Sequence, residues 1–225
     1  MNAAHRRLRA VLFDLDGTLA DTAPDLTSAL NVLLAEHGLE PLPVERVRPC
    51  VSEGTPGLLD LGFDWQGRRP GTFEALRARY LAIYRDHLTR ETRLFPGMEA
   101  VLRQIEVWGY PWGIVTNKTA FLTEPLVAAL GLRDRAACVV SGDSVAQRKP
   151  HPEPLLLAAR QLRCAPAECL FIGDSPVDIA AGRAAGMITL VALFGYLAGE
   201  ADPGSWGADG SIAQPSGLLP WIAPK

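Results

Sequence analysis

From Phe95 onward the chain alternates between two textures, and this alternation restricts its fold more than any other feature. Apolar runs in "PWGIVTN", "ACVVSGD", "CLFIGDS" and "ITLVAL" are separated by helical patterns, the first of them "PGMEAVLRQIEVWG" starting near Pro96. Runs that are apolar throughout suit strands buried on both faces. Such strands, alternating with helices of roughly ten to fifteen residues, predict βαβ units and a parallel sheet. A further apolar run, Ala10 to Phe13, stands ahead of them. Together they predict an α/β fold with a Rossmann-like core of about five parallel strands and helices on both faces.

Between the first run and the rest lies a segment of different character. "APDLTSALNVLLAEHGL" sets Leu26, Leu30, Leu33 and Leu34 on one stripe, with Gly38 as its stop. "PVERVRPCV" reads as a second, short helix, and a turn or two of helix follows around Leu58 to Leu61. A longer helix, Thr72 to Leu88, carries Phe73, Leu76, Tyr80, Ile83 and Tyr84. No strand pattern interrupts this block, which predicts an all-helical cap inserted into the core. The expected division is residues 1–19 and 93–225 for the catalytic core and 20–92 for the cap. Phe63 and Trp65 are expected in the cap's own core, and Arg68 and Arg69 on its surface.

Composition removes whole classes of function. A net charge of −3 lacks the basic footprint of a nucleic-acid protein. The N-terminus has basic and then apolar residues, but Asp14 cuts the apolar run too early for a signal peptide, and no segment is long enough to span a membrane. Cys50, Cys138, Cys164 and Cys169 form no CxxC pair and have no histidine pair to complete a zinc site. The expectation is a cytoplasmic protein with free thiols, a monomer or homodimer, acting on a small molecule.

The chemistry sits at the strand ends. In open parallel sheets ligands bind beyond the carboxyl ends of the strands. Those ends carry Asp14 and Asp16, Thr116 and Asn117, Lys149 from the loop "QRKPHPEP", and Asp174 and Asp178 in "FIGDSPVD". Period-two alternation starts Asp14 and Asp16 on the same side of their strand. Carboxylates crowded in this way repel unless a hard divalent cation sits among them, and Mg²⁺ often bridges protein carboxylates to a substrate phosphate. Asp14 is then placed as nucleophile and metal ligand, and Asp16 as general acid. Lys149 supplies positive charge, while Thr116 and the Asn117 backbone offer neutral donors to phosphate oxygens. Gly17 permits an unusual turn and close approach.

These residues resemble the haloacid dehalogenase superfamily over nearly the whole chain. "DLDGT", "VTN", "KPHPEPL" and "GDSPVD" look like its four motifs, in order, with the helical insert in the place of that family's helical cap. The resemblance implies a Mg²⁺-dependent phosphatase with an aspartyl-phosphate intermediate. It makes Asp14 the nucleophile, Asp16 the acid and base, and Asp178 a supporting group. Metal ligation falls to Asp14, Asp174 and the backbone carbonyl of Asp16.

Within the superfamily "DGTLADTAPDL" and "GIVTNK" look most like the phosphoglycolate phosphatase subgroup. "GIVTNKTAFLTEPLVAALGL" and the tail "FGYLAGEADPGSWGAD" resemble the N-acetylmuramic acid 6-phosphate phosphatases of cell-wall recycling. Ser52, Glu53 and Gly54 stand where relatives carry a glycine-rich substrate loop in the cap, and Glu53 repels a substrate carboxylate there unless it points away or pairs with a base such as Arg48. The alternatives are phosphoglycolate phosphatase proper, a phosphomutase, or a non-catalytic binding domain on the same fold. A binding domain is expected to lose one of Asp14, Asp16, Lys149 or Asp174, and a dehalogenase has no need of Asp16.

Overall fold

A computed structural model describes residues 8–63, 71–197 and 202–224. The expectations for Trp65, Arg68, Arg69 and part of the tail lie outside the described residues. Strand β1 (Ala10–Phe13) is followed by two two-residue strands, β2 (Ala20–Asp21) and β3 (Arg93–Leu94), which pair antiparallel with each other. The later strands are β4 (Trp112–Val115), β5 (Cys138–Val140), β6 (Cys169–Gly173), β7 (Ile188–Ala192) and β8 (Gly210–Ile212).

All but β2 and β3 form one parallel sheet in the order β5-β4-β1-β6-β7-β8. Counted along the chain, this is the doubly wound order 3-2-1-4-5-6. The direction of winding reverses between β1 and β6, and a crevice opens at such a reversal. The strand expectation was one short. β8 has only three residues, "GSI", at the sheet edge, too few to show a pattern.

Side chains alternate across the sheet into two buried clusters. Val11, Phe13, Ile114, Leu170 and Ile172 face one side, where α5 (Met98–Val107) and α6 (Ala120–Ala129) pack. Ala10, Leu12, Val115, Cys169 and Phe171 face the other, against α7 (Glu153–Gln161) and α8 (Pro176–Ala184). Helices thus cover both faces, as the uninterrupted apolar runs predict.

The segment between β2 and β3 is helical: α1 (Ala23–Glu36), α2 (Val44–Val47), a 3₁₀ stretch (Arg48–Glu53), α3 (Gly54–Gly62) and α4 (Phe73–His87). Thr72 caps α4 by accepting from Ala75 N–H, and α4 packs on α1 through its buried face, with Tyr80 Oη donating to Leu26 O at 3.2 Å. Phe63 is buried, as expected. Two readings of this segment are corrected. Its ends are strands, since the leaving and returning chains pair as β2 and β3, two residues being too few to show in sequence. Helix α3 starts at Gly54, not near Leu58, so the Ser52-Glu53-Gly54 loop is the last of the 3₁₀ stretch joined to the first residue of α3.

Asp25, in the first turn of α1, binds the returning chain. Its carboxylate accepts from the N–H groups of Glu91 and Thr92 and from Thr92 Oγ1, at 2.7 to 3.1 Å. The four cysteines are free, and burial pushes the thiols of Cys138 and Cys169 up to about 12. Among the described residues no helix is long and apolar enough to cross a membrane.

Candidate active site

The chain turns sharply after β1, and the turn separates the two aspartates that strand periodicity placed together. Asp14 follows Phe13 directly, and its Oδ1 accepts from Lys149 Nζ at 2.8 Å. Asp16 lies past Leu15 in a turn bridged to Ala20, and its Oδ1 accepts from Thr22 Oγ1 at 2.5 Å and pairs with Lys118 Nζ at 2.9 Å. The strand ends at Phe13, and the two carboxylates beyond it take different partners. Both carboxylates nevertheless line one cavity of about 590 Å³. That cavity also takes in Thr116, Asn117, Lys149, Asp174 and Asp178, so the predicted strand-end residues do converge.

Gly17 makes the turn possible. Its φ is +81°, and a Cβ there would sit 2.1 Å from Asp174 Oδ2. Only glycine allows both the left-handed backbone and this approach of the β1 turn to the end of β6. The second carboxylate group comes from the β6–α8 junction. Ser175 and Asp178 cap α8 reciprocally: Ser175 Oγ accepts from Asp178 N–H, while an Asp178 carboxylate oxygen accepts from Ser175 N–H at 3.1 Å. The other Asp178 oxygen accepts from Lys149 Nζ at 2.6 Å. Asp178 is thus both a helix cap and a partner of the lysine.

Lys149 also donates to Val115 O at 2.8 Å, so its ammonium is anchored between β4, Asp14 and Asp178. Burial alone lowers its pKa, but the two carboxylates outweigh that and raise it, holding the charge. Asp174 accepts from Thr18 Oγ1 at 3.0 Å and from Tyr196 N–H at 2.7 Å. Burial pushes Asp14 up to about 7, against the pull of Lys149 and with the push of Asp178 and Asp16. Burial, Asp178 and Asp14 raise Asp174 well above the carboxylate range.

Asp14, Asp174 and Asp178 each offer an oxygen within 4.8 Å of the others. Lys149 pairs with Asp14 and Asp178, while Asp174 takes Thr18 and Tyr196; burial is the largest cause of the upward shifts of Asp14 and Asp174, and neighbouring carboxylates add to it. An all-oxygen, anionic set of this kind suits a hard divalent cation. The cluster holds the two expected carboxylate ligands, Asp14 and Asp174, with Asp178 beside them, and the Asp16 side chain is turned to Thr22 and Lys118.

Thr116 and Asn117 take structural partners as well as places in the cavity. Thr116 Oγ1 accepts from Lys118 N–H at 3.1 Å, and Asn117 Nδ2 donates to Lys149 O at 2.9 Å. Asn117 Oδ1 is buried with no partner among the described residues. The Asn117 side chain thereby steadies the backbone that carries Lys149.

The helical segment supplies the far wall with Ser52, Glu53 and Gly54, apolar Leu58 and Tyr84, and Arg77 of α4. The pairing suggested for Glu53 does not form. Arg48 instead pairs with Asp21 at 2.8 Å and lies over the Tyr196 ring. The Glu53 side chain packs along α3 so closely that a Cβ at Gly57 would lie 2.6 Å from its Oε2. Near that helix N-terminus a carboxylate is favourably placed. Arg77 and Arg148 also line the cavity, and neither guanidinium has a bonding partner among the described residues.

Two residues of the site are not evident as such from sequence. Lys118 is legible only as the last letter of "IVTNK". Tyr196 stands in the tail "FGYLAGEADPGSWGAD", but its contacts span the chain: Oη accepts from Thr22 and Ala23 N–H at 2.6 and 2.9 Å and donates to Asp21 at 2.6 Å. It caps α1 from a distance, where Thr22 makes no side-chain cap of its own.

Comparison with known proteins shows the family. A phosphoglycolate phosphatase of Xanthomonas campestris pv. campestris (strain 8004) is 44% identical over 213 residues, covering 93% of this chain and 94% of that protein. An N-acetylmuramic acid 6-phosphate phosphatase of Pseudomonas putida (strain KT2440) is 42% identical over 209 residues, 93% of each. The crystal structure of a predicted phosphoglycolate phosphatase from Haemophilus somnus 129PT superposes with a TM-score of 0.85 at 26% identity, covering 97% of this chain and 99% of that one. Haloacid dehalogenase-like hydrolases, as a family, match residues 11–192, and this chain belongs to that family.

Proposed function

We propose that the chain is a Mg²⁺-dependent phosphatase that hydrolyses a small phosphomonoester through Asp14, and that residues 20–92 act as its cap. The observation that carries this reading is the arrangement of two separated carboxylates in one cavity. Asp14 is held by a buried lysine beside Asp174 and Asp178, and Asp16 is held apart by Thr22 and Lys118. A nucleophile and a proton donor need such separation, since each acts on a different atom of the phosphate ester.

In the first step Asp14 attacks phosphorus, the ester P–O bond breaks, and the Asp16 carboxyl proton passes to the leaving oxygen. In the second step the Asp16 carboxylate takes a proton from water, the hydroxide attacks phosphorus, and inorganic phosphate leaves with Asp14 restored. Lys149 holds Asp14 in place throughout and contributes positive charge where phosphate oxygens gather. Thr116 and Asn117 stand at the same wall for the phosphate. Asp14 and Asp174, with the Asp16 carbonyl or Asp178 beside them, would hold Mg²⁺, which would supply charge neutralisation for the carboxylates and the phosphate. The helical segment excludes bulk water and selects the leaving group.

For substrate, the reading is a phosphorylated sugar acid, N-acetylmuramic acid 6-phosphate, ahead of phosphoglycolate. Both names occur among the relatives. A cavity of about 590 Å³ exceeds what a two-carbon acid fills, and pockets of about 300–1,000 Å³ take far larger ligands. Arg77 and Arg148 stand ready for a second anionic group, and Glu53 is drawn along α3. The test compares kcat/KM for the two esters at one pH and Mg²⁺ concentration. Preference for the sugar acid is expected, and preference for phosphoglycolate overturns the substrate but leaves the chemistry.

A further inference from the structure

Lys118 is a buried ammonium that the two steps above do not use. Its side chain is 8% exposed, and Nζ meets Asp16 Oδ1 at 2.9 Å and donates to Tyr84 Oη at 3.1 Å. The same ammonium lies 4.7 Å from the Tyr84 ring centroid. Its backbone is pinned: Lys118 N–H donates to Thr116 Oγ1, and its carbonyl accepts from Gly142 N–H at 2.8 Å and Thr123 Oγ1 at 3.2 Å. A fixed backbone and a phenol on the far side leave the side chain little freedom. Tyr84 belongs to α4, and Thr22, the other donor to Asp16 Oδ1, stands just ahead of α1.

Both groups that orient Asp16 are therefore tied to the helical segment, one directly at its start and one through Tyr84. With Oδ1 engaged by two donors, a proton carried by the Asp16 carboxyl resides on Oδ2. Orientation of the carboxyl about its Cβ–Cγ bond then decides whether that proton reaches a leaving oxygen.

We propose that Lys118, docked on Tyr84, is a positioning residue that aims Asp16 at the leaving oxygen and makes that aim depend on α4. The inference rests on the phosphatase reading. It predicts a defect specific to leaving groups that need a proton. An alkoxide needs one; p-nitrophenolate leaves without it. The parameter kcat/KM reports only steps through formation of the aspartyl-phosphate, so the base role of Asp16 in the second step does not enter.

The experiment measures kcat/KM for wild type, Lys118→Met and Tyr84→Phe on p-nitrophenyl phosphate and on N-acetylmuramic acid 6-phosphate or phosphoglycolate, whichever wild type turns over faster. Lys118→Met is expected to lower the alkyl-to-aryl ratio of kcat/KM by about tenfold or more, within the range of a lost general acid. Tyr84→Phe, which leaves Asp16 untouched, is expected to lower the same ratio by a smaller factor. Equal losses on both esters in Lys118→Met mark a structural or phosphate-binding role and overturn the proposal. If Lys118→Met does not fold, Tyr84→Phe decides, and an unchanged ratio overturns it. Wild type that turns over none of these esters overturns the phosphatase reading itself.

Discussion

Gly17 concentrates the physics of the site at a single residue. Its positive φ, and the 2.1 Å that would separate a Cβ at this position from Asp174 Oδ2, leave no room for any side chain. Gly17→Ala is expected to cut turnover by more than about a hundredfold, because a displacement near 1 Å at reacting groups costs that much. The measurement is kcat on the best substrate, with circular dichroism to show the fold retained. Turnover within a few-fold of wild type contradicts the tight packing described. Asp14, Asp16, Thr116, Lys149 and Asp174 were legible in sequence, because strand ends of a parallel sheet must meet at one edge. What sequence did not show is how the residues pair there. The direction of Asp16 depends on Lys118 and Thr22, and that of Asp174 on Tyr196, whose backbone N–H comes from the loop after β7. The failed Glu53–Arg48 pairing has the same origin, since Asp21 competes for Arg48 across the chain.

Among the elements, the neck of the helical segment holds the longest-range dependence. Asp25 ties the first turn of α1 to the strand that returns at Thr92, with three donors on one buried carboxylate. Asp25→Ala strands Glu91 N–H and the buried Thr92 donors, and unsatisfied buried donors cost about 1–3 kcal/mol apiece. We expect a loss of about 2–4 kcal/mol in urea unfolding, at constant m. A loss below about 0.5 kcal/mol contradicts the assignment, being the scale of an ordinary surface change. Long elements with clear periodicity were readable: α4 was expected from Thr72 to Leu88 and spans Phe73–His87. The strands missed, β2, β3 and β8, are two or three residues long and owe their existence to pairing partners. The start of α3 was misplaced because glycine and proline at Gly54, Pro56 and Gly57 mask a helix, although proline in a first turn lacks nothing it needs.

For the whole molecule, the governing quantity is the charge gathered at the reversal between β1 and β6. Three carboxylates cluster there with Lys149 paired to two of them, and burial, aided by the neighbouring carboxylates, pushes Asp14 up to about 7. Turnover is expected to vanish on exhaustive chelation and return with Mg²⁺. Ca²⁺ is expected to inhibit, since it takes more ligands and can bind Asp14 through both oxygens, blocking attack. Full activity in chelator contradicts the metal assignment. The most direct measurement is borohydride trapping during turnover. Quenching the enzyme with excess substrate and Mg²⁺ and reducing it with borohydride converts an aspartyl-phosphate to homoserine, which peptide mass spectrometry locates. The account predicts homoserine at position 14, absent in Asp14→Asn and absent without substrate; an unmodified Asp14 in enzyme quenched at steady state, or homoserine at position 16, contradicts it.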